Sequence, residues 1–100
     1  MRITANQLSI AKALARRYFG EDVKLWLFGS RVDGEKKGGD CDFLIETSLA
    51  NPDEIISSMI TQLQSSDPFE DEKIDIIVKR RQSSFDMPIY HIAKQEGVQL

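Results

Sequence analysis

Two short stretches, DCDFLIE at 40–46 and KIDIIVK at 73–79, constrain this chain more than any other feature. Each alternates with a two-residue period, as a strand does when its two faces meet different surroundings. In the first, Cys41, Phe43 and Ile45 share one face, and Asp40, Asp42, Leu44 and Glu46 the other. In the second, Ile74, Ile76 and Val78 lie opposite Asp75 and Ile77. Aspartate is depleted in strands and costly to bury unpaired. A fold built on these strands must therefore find compensation for three carboxylates.

Helical periodicity surrounds the strands. Leu8, Ala11, Leu14, Ala15 and Tyr18 recur at three- and four-residue spacing, predicting a helix over 5–19 with Thr4 as N-cap and Gly20 as stop. Val23 to Phe28 is a run of strand formers that Gly29-Ser30 ends. Asn51-Pro52-Asp53-Glu54 reads as the N-cap, first-turn proline and first-turn acids of a helix reaching Gln64, with Ile55, Ile56, Met59, Ile60 and Leu63 as its apolar stripe. SSDPFEDE breaks that helix. Asp86 with Pro88 opens a last one, with Ile89, Ile92 and Ala93 inward and Gly97 closing it before Val98 and Leu100. The predicted order is helix, strand, strand, helix, strand, helix, an α/β (α+β) chain.

At 100 residues the chain is expected to form one domain, 1–100. Its 41% hydrophobic and 29% charged residues suit a globular protein rather than a disordered one. A formal charge of -3 argues against holding nucleic acid mainly through phosphates, so no strong nucleic-acid binding is expected. Cys41 has no cysteine to pair with and His91 is the single histidine, which excludes a Cys/His zinc set and suits a reducing cytoplasm. Lys12, Arg16 and Arg17 interrupt the first twenty residues, predicting neither a signal peptide nor a membrane span.

A cation is the simplest compensation for the carboxylates. Asp40 and Asp42, two residues apart on a strand, project from one face with Cα atoms roughly 7 Å apart. If the third strand pairs beside the second, Asp75 joins them in a cluster of hard oxygen donors of the kind Mg²⁺ accepts when phosphates and water complete its shell. Two such ions about 3.5 to 4 Å apart stabilise the attacking and leaving oxygens of phosphoryl or nucleotidyl transfer. Asp40 or Asp42 could bridge both, with Asp75 holding the catalytic ion. Gly29 lets a phosphate approach its backbone, Ser30 offers a hydroxyl and an N–H, and Arg31 adds a charge-assisted contact.

Other residues leave alternatives open. Lys79-Arg80-Arg81 is either a solvated strand end or a contact for acceptor, nucleotide or an acidic partner. Trp26 lies on the non-core side of its strand with Lys24 and Phe28, marking either a partner surface or cover by a helix. His91 reads as ordinary surface or packing.

LFGSR at 27–31, DCDFLIE at 40–46 and KIDIIVK at 73–79, with the closing PIYHIAKQEGVQL at 88–100, together resemble the minimal nucleotidyltransferase domain of the DNA polymerase beta superfamily. The resemblance spans essentially the whole chain. It implies a small mixed β-sheet with helices on one face, the nucleotidyltransferase fold, and a metal site on the other face. It implies transfer of a nucleoside monophosphate, AMP from ATP, to a hydroxyl with release of pyrophosphate. By position Gly29, Ser30 and Arg31 would bind nucleotide, and Asp40, Asp42 and Asp75 would be the catalytic ligands of two Mg²⁺ ions. Several relatives are antitoxins that adenylylate a small helical partner of the HEPN type, which makes such a protein the expected partner and acceptor. Two positions depart from the pattern: Asp33 stands before Gly34 where many relatives carry arginine, and Gly39 stands where many carry serine. The alternative is a catalytically weak binding module that neutralises such a partner by forming a complex.

Overall fold

In a computed structural model, residues 3–29, 41–70 and 72–100 are described. The elements are α1 (Ala5–Phe19), β1 (Lys24–Phe28), β2 (Cys41–Thr47), α2 (Asp53–Gln64), β3 (Ile74–Arg80), α3 (Pro88–Glu96) and β4 (Val98–Gln99), with a short 3₁₀ turn at Asp67–Phe69. Among the described residues four strands form one mixed sheet in the order β3-β2-β1-β4. β1 is antiparallel to β2 and β4, whereas β2 and β3 run parallel through the α2 crossover.

Strand alternation divides the sheet into two apolar layers. Leu25, Leu27, Cys41, Phe43, Ile45 and Ile74 turn to one face, where they pack with Ala11, Ala15 and Phe19 of α1 and Met59 and Leu63 of α2. Phe69 closes this core, its ring meeting Phe43 edge-on with centroids 6.3 Å apart. Trp26 and Leu44 turn to the opposite face and pack with Tyr90 and Ala93 of α3, flanked by Phe28, Ile77 and Ile89. The mixed sheet is as expected, and α1 and α2 do share one face. The third helix departs from that expectation because Tyr90 and Ala93 need apolar cover, which Trp26 and Leu44 supply. Trp26 is thus buried by a helix rather than offered to a partner.

α1 begins where predicted. The Thr4 hydroxyl accepts the Gln7 N–H at 3.0 Å and the Gln7 side chain accepts the Thr4 N–H at 3.0 Å, a reciprocal cap. Gln7 also donates to the Pro68 carbonyl at 2.7 Å, which ties the helix start to the 3₁₀ turn. α2 and α3 start one or two residues later than predicted, after Pro52 and Met87, and neither has a side-chain cap; Asp86 instead pairs with His91. Ile92 is 44% exposed and Tyr90 takes the inward position expected of it. The two-residue β4 went unpredicted; it pairs with Trp26 and Leu27.

Candidate active site

Parallel pairing of β2 with β3 sets Asp42 directly beside Asp75. Register partners in a parallel pair present their side chains to the same face, and neighbouring strands lie about 4.7 to 4.9 Å apart. The two carboxylates therefore leave the sheet side by side, on the α3 face and at the end where β2 and β3 begin. Asp42 is half-buried and Asp75 exposed. On its other side Asp42 is the antiparallel partner of Phe28, the last residue of β1.

That pairing brings Gly29 against Asp42. Gly29 has φ +77°, in the left-handed region that disfavours side chains. A Cβ built there would overlap Asp42 Oδ2 and crowd its Cγ at 3.2 Å. A glycine at this point both turns the chain out of β1 and makes room for the carboxylate. Gly29, Asp42 and Asp75, expected together from the sequence, thus sit on three adjacent strand ends.

Ser30, Arg31 and Asp40, with Asp33, Gly34 and Gly39, lie outside the described residues. Among the described residues no cluster of three His, Cys, Asp or Glu side chains suited to a metal is present. Two carboxylates nevertheless fit Mg²⁺, which protein sites commonly hold through one or two carboxylates while phosphates and water fill the remaining positions. Like charges directly opposite on neighbouring strands repel, and a divalent cation between them converts that repulsion into coordination.

At the far end of the same face the charges are satisfied within the protein. Glu46, only 8% exposed, accepts from Lys94 Nζ at 2.5 Å and from Arg81 Nε at 3.3 Å. Burial pushes its carboxyl up, but Lys94 and then Arg81 outweigh this and hold it below the ordinary value. Arg81 also donates to the Asp22 carboxylate at 2.9 Å and to the Asp22 carbonyl at 2.9 Å. A hydrogen bond from Ser48, reinforced by Arg81, holds Asp22 low in its turn. Lys94 lies 5.0 Å from the centre of the Trp26 ring, and Lys79 lies 5.5 Å from that of Tyr90. Arg80 donates to the Ala50 carbonyl at 3.0 Å. The Lys79-Arg80-Arg81 run thus serves to fasten elements together, and Glu46 is its unforeseen anchor. The readable signal was an acidic residue on the strand face that a helix carrying Lys94 in its last turn has to cover.

His91 Nε2 lies 2.7 Å from Asp86 Oδ2 in an exposed pair, and this contact holds the Asp86 carboxyl below its usual range. His91 is thereby a surface residue, as read from the sequence. No helix among the described residues is long and apolar enough to cross a membrane. A scan against models of known protein families finds no match to this chain, and a search of curated proteins finds no similar sequence.

Proposed function

We propose that the chain is a Mg²⁺-dependent nucleotidyltransferase that moves AMP from ATP to a hydroxyl on a small helical partner protein of the HEPN type, as an antitoxin. One observation carries this: Asp42 and Asp75 are in register on adjacent parallel strands, with Gly29 at positive φ packed against Asp42. Residues from three segments of the chain stand together at one sheet end.

In this reading Asp40, Asp42 and Asp75 hold the metal, and Gly29, Ser30 and Arg31 receive the phosphates. Mg²⁺, when bound, supplies neutralising charge for the phosphates and lowers the pKa of the attacking hydroxyl. The acceptor oxygen forms a bond to the α-phosphorus as the bond to the bridging oxygen breaks, and pyrophosphate leaves. The hydroxyl proton passes to a carboxylate oxygen of Asp75, the more exposed of the pair. Backbone close to Gly29 admits the phosphate chain without a side chain in its way.

The test is label transfer from each α-labelled NTP, with Mg²⁺ and any helical protein that co-purifies. Transfer by the wild type that is abolished in Asp40→Ala/Asp42→Ala supports the enzyme. A partner bound equally by both, with label transferred by neither, supports the binding module instead, a reading that Asp33 favours by placing a negative charge where relatives carry a positive one.

A further inference from the structure

β3 is an edge of the sheet, and its outward side is self-complementary. The Lys73 carbonyl accepts from the Cys41 N–H at 2.8 Å and the Arg81 N–H donates to the Thr47 carbonyl at 2.7 Å, so odd-numbered residues bond toward β2. Backbone groups of successive strand residues point to opposite sides, which turns those of Ile74, Ile76 and Val78 outward together with the Arg80 N–H, while the Arg80 carbonyl accepts the Ser83 N–H at 3.2 Å. The Val78 carbonyl accepts the Tyr90 hydroxyl at 3.4 Å, a long contact that leaves its second lone pair available. A seven-residue edge rich in Ile and Val is a template for another strand.

We propose that the strand it takes is β3 of a second copy of this chain, antiparallel about a two-fold axis at Ile77. The charge pattern favours that register over one centred on Ile76. Centred on Ile77, Asp75 of each copy stands opposite Lys79 of the other, Ile76 opposite Val78, and Ile74 opposite Arg80. The even-numbered residues, whose backbone groups face outward, become the hydrogen-bonded pairs. Asp75 with Lys79, and Ile77 with Ile77, become the non-hydrogen-bonded pairs, whose side chains approach most closely. Centring on Ile76 would instead set Asp75 opposite Ile77 and Lys79 opposite Lys73, losing both ion pairs and juxtaposing like charges.

A groove of about 390 Å³, lined by Pro52, Asp53, Val78, Arg80, Phe85 and Tyr90, runs beside the last part of this edge. It gives the incoming strand room there, and Phe85 at its rim is 62% exposed. The pairing stands independently of nucleotidyl transfer.

Sedimentation equilibrium on the full chain, with circular dichroism confirming the fold of each variant, tests this. The wild type is expected at twice the 11.4 kDa chain mass, falling to that single mass in Lys79→Asp. Asp75→Lys is a second single variant with the same expected loss, for use if Lys79→Asp fails to fold. Combining Asp75→Lys with Lys79→Asp re-forms both ion pairs and restores the doubled mass. A wild type at single mass at every concentration, or single variants that keep the doubled mass, would overturn the proposal.

Discussion

Gly29 is the residue on which the candidate site turns. Its φ of +77° and its contact with Asp42 make two separate demands, and a methyl group violates both. Gly29→Ala is expected to cost about 1 to 2 kcal/mol from the left-handed backbone alone. It should also displace the Asp42 carboxylate, so label transfer should fall more than stability does. Urea denaturation beside the transfer assay separates the two effects. Glu46 makes a second prediction at this scale. Removing its two charge-assisted partners in Glu46→Ala should cost about 1.5 to 3 kcal/mol at neutral pH. Its folded pKa lies below the ordinary 4.5, so its contribution is complete above that value and is lost as pH falls through the folded pKa. The stability gap between wild type and Glu46→Ala, followed by denaturation from pH 7 into acid, should therefore narrow below about pH 4.5.

Among the elements, α1 was legible at both ends because its signals are local. Thr4 and Gln7 cap its start and Gly20 ends it through contacts within the helix and its flanks, to which Gln7 adds a tie to Pro68. Thr4→Ala should cost about 1 kcal/mol, visible as a lowered denaturation midpoint with an unchanged slope. Strand ends were less legible. β3 runs to Arg80 rather than Lys79 because Arg80 pairs with Thr47, a contact between distant parts of the chain. β4 is two residues long, too short for any periodicity, and exists by pairing with β1. α3 was assigned its inward residues from apolar character alone. At about 100° per residue, a stripe that holds Tyr90, Ala93 and Gly97 leaves Ile92 to one side, where it is exposed. Sheet burial, not hydrophobicity, chose that stripe.

At the scale of the whole molecule, the sheet order sets the consequences for chemistry. Asp42 and Asp75 are 33 residues apart in the chain, and only the parallel β2–β3 pairing makes them neighbours. The period-two reading assigned each to its face, but the register that aligns them comes from α2 crossing the sheet and packing Met59 and Leu63 into the core. The same face then separates into two ends. At one, Glu46, Lys94, Arg81 and Asp22 neutralise each other; at the other, two carboxylates stand in register. The most direct test of their role is equilibrium binding of Mn²⁺ to the protein, read from the loss of the free-ion paramagnetic resonance signal as protein is added, because it needs no acceptor. The wild type should bind the ion, and Asp42→Asn with Asp75→Asn should weaken binding by more than about tenfold while the fold is retained. Equal binding by both proteins, or none by the wild type, would contradict a metal site at this pair.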